Sequence, residues 1–313
     1  MSPNNTPILY VGLDVAKLTL ELHLAGQTHS LSNDAKGHAR LCRHLQPYPN
    51  GQVVCEATGG YEQSVVRARQ AAHIPISVVE AGRVRYFARA QGQRAKTDPI
   101  DAAVLSAYGE TFHPAATLPA SPAQQQLARL TQRRRQLLQL LTNEGNHAEH
   151  YTDAFCARQS RQLRKALEKQ IAQCEAAIQQ LLAAAAALAA KAKRLDAIPG
   201  VGPVVAATVL AEMPELGQLT HPAVAALAGV APYNRDSGSQ IGRRCIGGGR
   251  ATVRQALYRA SLSAVRHDRF FKEFYQRLRA GGKPAKVALT AVMRKLIILM
   301  NRLLKNPNFQ LAS

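Results

Sequence analysis

The 313-residue chain carries 40 Lys and Arg against 20 Asp and Glu, a formal charge of +20, and 46% of its residues are hydrophobic. A real core can therefore form, about two domains are expected from the length, and the charge points to nucleic acid or an anionic surface. No apolar run reaches bilayer length, the start lacks a signal-peptide pattern, and five cysteines without a CxxC pair argue against a zinc finger and a disulfide framework; a cytoplasmic chain with free thiols and no membrane partner is expected.

The first segment, residues 8–109, reads as α/β. ILYVGLDVA is a short strand, and LTLELHL alternates apolar with polar positions. The two predict neighbouring strands joined near Val15–Leu18. QVVCEATGG and IPISVVE are further strands, and GYEQSVVRARQAA between them is helical. Strands alternating with helices predict a sheet with helices against it. AKTDPIDAAVLSAYG, from Ala95 to Gly109, then opens a helix. Thr97 or Asp98 is the cap, with Pro99 at the first position. Asp101 falls in the first turn, where the helix dipole favours an acid. An ordinary start signal accounts for both aspartates taken alone.

Residues three apart also share a helix face. Two carboxylates on one face make half of a magnesium site, if other acids arrive from elsewhere. Asp14 in YVGLDVAK and Glu56 in QVVCEATGGYE are such acids, each at the end of a strand. An aspartate inside an apolar segment carries a desolvation cost unless it is paired or metal-bound, although acids at strand ends are common. Together Asp14, Glu56, Asp98 and Asp101 can hold two Mg²⁺ ions about 4 Å apart, with Mn²⁺ as a substitute. Four bare acids would repel one another, which is a reason to expect the cation.

Residues 122–193 follow as long helices. Leu163, Leu167, Ile171, Cys174, Ile178, Leu181 and Leu182 recur at spacings of three and four, with polar residues between them. The pattern predicts an amphipathic hairpin or coiled coil. Packing within one chain and an oligomer seam fit it equally, and the length of the second arm without glycine favours a protruding, partner-binding pair. Gly145 is a candidate break. LDAIPGVGPVVAATVLAEM, Leu195–Met213, reads as a helix–hairpin–helix element. Gly200 and Gly202 would let backbone N–H groups approach a phosphate, or would serve a plain turn between packed helices. The last part, residues 231–300, holds 15 Lys and Arg against 3 Asp and Glu. Its loop NRDSGSQIGRRCIGGGRATVRQALYRA interleaves Arg235, Arg243, Arg244, Arg250, Arg254 and Arg259 with glycines and hydroxyls. That pattern suits backbone-phosphate contact, which positions DNA without reading bases.

The set GLDVAK, CEATGGYE, AKTDPIDA, PGVGPVVAATVLAE, AGVAPYNRDSGS and GGGRATVRQALYRAS, in that order, resembles the DEDD insertion-sequence transposases, relatives of the pilin-gene-inverting recombinase. The resemblance covers residues 9–304. It implies an α/β RuvC-like, ribonuclease-H-like domain at 1–115. A helical coiled-coil and oligomerisation region at 120–194 and a mainly α-helical C-terminal transposase domain at 195–313 would follow. It assigns the four acids to Asp14, Glu56, Asp98 and Asp101, and the RxSG serine to Ser237 in RDSG, with Ser239 two residues on as the competing hydroxyl. It further implies double-stranded donor and target DNA as partners, a homodimer or homotetramer, and in one branch a structured bridge RNA as guide. The implied chemistry is a metal-assisted attack by Ser237 that stores the bond energy in a phosphoserine–DNA link. That fits the absence of a GxxxxGK[ST] loop. Lys17, beside Asp14 in sequence, is a weaker candidate for phosphate contact. Two rival readings stand beside this one: a RuvC-like hydrolytic junction nuclease using water, which leaves Ser237 idle, and a non-enzymatic architectural nucleic-acid-binding protein, which leaves the four acids incidental.

Overall fold

The computed structural model describes residues 7–93, 97–234, 236–237, 242 and 244–309. Two compact units divide the chain, residues 1–119 and 120–313. In the first, the order is β1 (Leu9–Val15), β2 (Thr19–Leu24), β3 (Gln27–Ser32), α1 (Ala35–Leu45), β4 (Gly51–Glu56), α2 (Glu62–Ala71), β5 (Ile76–Val79), α3 (Ala81–Ala90) and α4 (Asp98–Phe112). The strands form one sheet in the order β3-β2-β1-β4-β5. The β1–β2–β3 part is antiparallel, and β4 and β5 run parallel to β1. This mixed sheet with helices packed on it fits the RuvC-like class expected from the sequence.

Side chains alternate between the two faces of a strand. Val11, Leu13, Val15, Val53 and Cys55 point to one face, where they share a core with Leu41 and Leu45 of α1 and Val65 of α2. Tyr10 and Val54 point to the other, against Val84 of α3 and Val104, Leu105 and Tyr108 of α4. Asp14 and Glu56 continue that second series, at the ends of β1 and β4. The strand β3 was not expected. QTHSLS buries only Leu31, so alternation is too weak to read. It is placed instead by the hairpin at Ala25 and Gly26, both at positive φ.

One close approach fixes α4 on the sheet. A Cβ at Gly12 of β1 would overlap the carbonyl oxygen of Ala102 and lie 2.7 Å from the Ser106 nitrogen. At the other end of the contact, a Cβ at Gly109 of α4 would lie 2.7 Å from Cβ of Tyr10. Ser106 Oγ donates to the carbonyl of Tyr10 at 2.7 Å in the buried seam. The two absent side chains thus let the α4 backbone rest on that of β1 at Gly12 and on the Tyr10 side chain at Gly109.

The second unit contains α5 (Pro122–Ala148), α6 (Ala154–Ala184), α7 (Ala186–Asp196), α8 (Pro203–Glu212), α9 (His221–Leu227), β6 (Pro232–Tyr233), β7 (Cys245–Ile246), α10 (Ala251–His267), α11 (Arg269–Ala280) and α12 (Ala285–Lys305). Leu127, Ile178, Leu182, Leu188 and Leu195 of the long helices join Val209, Leu257, Leu296 and Ile297 in a single core. The apolar stripe of α6 is largely used inside the chain, since Leu167 and Ile171 also pack on Leu137 of α5, while Leu163 stays exposed. Arg134 ties the two arms together through Glu175, with Nη2 at 2.6 Å from Oε1.

Gly145 does not break α5. The helix runs through it to Ala148, and the turn follows at 149–153, where the Asp153 carboxylate caps α6 by accepting from the Phe155 and Cys156 nitrogens. A single glycine costs a helix about 1 kcal/mol, too little to end one held on both sides by good helix formers. The break comes instead inside the polyalanine run, at Ala185, where α6 and α7 meet at 111°. Among the described residues no single helix is long and apolar enough to cross a bilayer. The PGVG turn joins α7 to α8. Gly200, at φ +84, lies against α10, where a Cβ would come within 2.5 Å of the Ala260 carbonyl oxygen. Packing therefore accounts for Gly200. Gly202 caps α8 with open space beside it.

Gly12→Ala tests the α4–β1 contact. The expected loss is about 3 kcal/mol, the upper end of overpacking in a core. Urea melts of the full chain followed through the first unit check it; wild-type stability would remove Gly12 from this role.

Candidate active site

The residues that converge come from three elements. Asp14 is the penultimate residue of the central strand, half-buried, and Glu56 ends the parallel neighbour β4. The register pairs Leu13 with Cys55, so the two acids are next in line on adjacent strands and share a face. Asp98 and Asp101 stand in the first turn of α4, after Thr97, whose extended backbone starts the helix without a side-chain cap. Asp98 is thus the first helical residue and Pro99 the second. Because α4 presses directly on β1, its N-terminal turn lies over Asp14. All four carboxylates line one cavity of about 550 Å³.

Their proximity shows in Asp14. Its carboxyl is pushed up to about 6 from 3.8, first by burial and then by the charges of Asp101 and Asp98. A hydrogen bond with the Val15 backbone opposes the shift, and Glu56 adds a smaller push upward. Among the described residues no three Asp, Glu, His or Cys side chains stand close enough to make a finished metal shell. The donor set still suits a hard divalent cation: four carboxylates without thiol or imidazole. The cavity wall also holds Arg85 and Arg89 of α3. The sequence reading missed them, although their spacing of four along RVRYFAR already placed them on one helix face. Lys17 is exposed and does not line the cavity. The loop after Glu56 is held by Glu62, whose Oε2 accepts from Thr58 N, Thr58 Oγ1 and Gly60 N at 2.9–3.1 Å.

Residues 11–157 match the DEDD transposase model of the IS110 type, and residues 192–276 match the model described as Transposase IS116/IS110/IS902 family. The chain is 27% identical to the pilin gene-inverting protein of Moraxella lacunata over 93% of this chain and 94% of that one. The Moraxella bovis protein of the same name gives 27% over the same shares. An uncharacterized 43.6 kDa insertion element IS110 protein of Streptomyces coelicolor is 29% identical over 37% of this chain and 29% of its own length. The chain belongs to the IS110-type DEDD transposases and recombinases.

In this transposase the loop expected to carry the serine hangs from a two-stranded ribbon, with Tyr233 of β6 opposite Cys245 of β7. Ser237 is exposed in that loop. The neighbouring Asp236 accepts from the Gly242 nitrogen at 3.0 Å. Arg235, Ser239 and Arg243 lie outside the described residues. The base of the ribbon is tight. A Cβ at Gly249 would lie 2.6 Å from Cα of Gly229, and the Arg250 nitrogen donates to the Leu227 carbonyl.

Two arginines expected to meet DNA have work inside the chain. Arg250 grips Glu215 with both Nη atoms, at 2.8 and 2.7 Å, and donates from Nη1 to the Glu212 carbonyl at 2.5 Å. Burial alone would raise the Glu215 carboxyl, but Arg250 outweighs it and holds the group below its usual range. Arg254 donates to the Gly248 carbonyl at 2.7 Å. Both therefore position the loop. Arg244 and Arg259 are exposed and make no ion pair among the described residues. Of the expected phosphate-contact glycines, Gly200 is closed off on its Cα side by α10 and Gly202 is open.

The raised Asp14 fixes the sign of a pH effect. Its folded value near 6 exceeds the unfolded 3.8, so its contribution to stability is present below the unfolded value and lost as pH rises through the folded one. Asp14→Asn should therefore raise the melting temperature of cation-free protein at neutral pH and flatten its decline across this window. Adding Mg²⁺ should raise the wild-type melting temperature and move the variant less. Thermal scans with and without chelator check both; equal Mg²⁺ shifts would remove Asp14 from the cation site.

Proposed function

We propose that this transposase cuts and rejoins double-stranded DNA at a composite centre made by the Asp14, Glu56, Asp98 and Asp101 cavity together with Ser237. The observation that carries the reading is the convergence of those four carboxylates, from two strand ends and one helix start, on one cavity in a chain of charge +20. Acids set among phosphate-binding residues weaken anion binding unless a cation intervenes. The four would hold Mg²⁺, or Mn²⁺ in its place, which when bound supplies Lewis-acid stabilisation of charge developing on the scissile phosphate.

The chain's own groups do the rest. Arg85 and Arg89 orient the phosphodiester by charge-assisted hydrogen bonds. Ser237 Oγ bonds to phosphorus as the bond to the DNA 3′-oxygen breaks. The serine proton passes to solvent, and the 3′-oxygen leaves as a hydroxyl after taking up a proton. The 5′-phosphate stays on the serine. Attack by the 3′-hydroxyl of the partner duplex then reverses the step, frees Ser237 and joins the new strand. No nucleotide hydrolysis is needed, because each broken ester is replaced by another. Arg250 and Arg254 hold the loop that presents Ser237, and Arg244 and Arg259 are free to meet backbone phosphate.

The partners we infer are donor and target DNA, a structured guide RNA on the same basic surface, and further copies of the chain. Two duplexes must be held at once, so the working unit is a dimer or a tetramer. The exposed Leu140, Phe155 and Leu163 on the long arms are the apolar residues left for that contact. The relatives named for inverting a pilin gene support recombination as the reaction class, since inversion requires cutting and rejoining.

Three measurements follow. Asp98→Asn and Asp101→Asn should each lower strand cleavage by more than about 100-fold while DNA affinity in a gel-shift assay stays within a few-fold; full activity in either counts against the centre. Ser237→Ala should bind DNA and Mg²⁺ but yield no recombinant product, whereas Ser239→Ala should be milder; products from the first variant would return the function to hydrolysis by water. Light scattering should find at least a dimer, reduced by Leu140→Lys with Leu163→Lys; an active monomer would remove the oligomer requirement.

A further inference from the structure

The first unit carries a second cleft, a basic one, on the face of the sheet opposite the carboxylates. Leu9 pairs with Gly51 where β1 and β4 begin, and Tyr48 lies just before that point. His29 is level with Leu13 through Leu22 and meets His44 on the α1 face, whereas Asp14 and Glu56 belong to the series that faces α4. The cleft has a volume of about 550 Å³, and its polar lining includes His29 of β3, Arg40, Arg43 and His44 of α1, and Tyr48. Among the described residues no Asp or Glu lines it. The two imidazoles lie 4.6 Å apart at 31°. Arg40 and Arg43 are exposed and make no ion pair among the described residues.

A plainer reading assigns Arg43 and His44 to the last turn of α1, where cations complement the helix dipole. It does not account for Arg40, a turn earlier, nor for His29, which comes from another element and stacks on His44. Four basic groups gathered without a counter-charge repel one another. Burial holds His44 below its ordinary range, and His29, Arg40 and Arg43 push it the same way. An anion entering the cleft would offset the mutual repulsion of these groups. Two guanidiniums three residues apart on one helix can fork onto one phosphate or grip two in succession.

We infer that this cleft is a second nucleic-acid contact of the RuvC-like unit, with Arg40 and Arg43 clamping backbone phosphate above the His29–His44 pair. It would anchor a strand on the face of the sheet away from the carboxylates, so it contributes to affinity and leaves the chemistry to the carboxylate cavity. DNA and guide RNA share the phosphodiester that the cleft recognises, and the experiment separates them.

Full-length protein, Arg40→Ala/Arg43→Ala and Arg40→Lys/Arg43→Lys would be titrated by fluorescence anisotropy against a labelled duplex DNA and a labelled stem-loop RNA. The salt range is about 50–200 mM, over which each lost contact lowers the log–log slope by about 0.9 for duplex DNA. The alanine variant should lose about tenfold in affinity and up to two contacts' worth of slope for the nucleic acid that occupies the cleft. The lysine variant should keep the slope. Loss with one probe alone names the occupant. Wild-type affinity and slope for both probes would overturn the inference. The histidines have a separate readout. His29 on β3, His44, Arg40 and Arg43 on α1, and Tyr48 before β4 are the titratable groups facing the site, so binding should tighten as pH falls below the ordinary histidine range and His44 takes up its proton. His29→Gln/His44→Gln should lose that tightening; an unchanged pH profile would contradict their part. Because the readout is binding, it stands apart from the Ser237 chemistry, which is read by product.

Discussion

Like charges brought together must be held there, and the contact of α4 with β1 does the holding. Gly12 and Gly109 remove the two side chains that would separate helix from strand. The first turn of α4 then lies beside the end of β1, and Asp98 and Asp101 face Asp14 whether or not their charges favour it. The cost is visible in the raised Asp14 carboxyl. A fold that gathers such a cluster around one cavity creates a standing demand for positive charge. Divalent cations, the cavity-lining Arg85 and Arg89, and the chain's excess of Lys and Arg can all answer it.

The second unit has a different constraint, the tight base of the ribbon beside Ser237, the hydroxyl proposed to act. Gly229 and Gly249 bring the ends of the ribbon together, and the Arg250–Glu215 fork pins its base to the segment after α8. Such a partly exposed ion pair contributes on the order of 1 kcal/mol or less, yet its bidentate geometry fixes direction. Two of the arginines that a charge count assigns to DNA are therefore supports for the loop. Charge shows that a surface is basic; only packing shows which guanidiniums are free. The carboxylates and Ser237 lie in separate compact units, so the proposed chemistry requires both at one phosphate.

Much of this was legible in the sequence. The acids at the ends of β1 and β4 stood out because they interrupt apolar runs, and TDPID marked its helix by its cap and proline. The order of the motifs named the family before the fold was seen. Other features were hidden for physical reasons. β3 is an edge strand whose hairpin partner, and not its own alternation, places it. Gly12 sat inside a quoted motif, but its meaning depends on a backbone ninety residues away. Arg85 and Arg89 belong to no motif, and only the packing of α3 beside α4 brings them to the carboxylates. The stripe on α6 suited a partner helix equally inside or outside the chain, and periodicity cannot tell which. The turn at Ala185 breaks a run of the best helix former, so local propensity pointed the other way.

The central claim is that the carboxylate cavity and Ser237 act on one phosphate. The most direct measurement traps the reaction on a nicked suicide duplex, with Mg²⁺ or with chelator, digests the protein and locates the DNA-linked peptide by mass spectrometry. The account predicts a phosphorylated Ser237 that forms with Mg²⁺ and is absent with chelator. A label on Ser239 or Tyr233, or cleaved DNA with no protein attached, would contradict it.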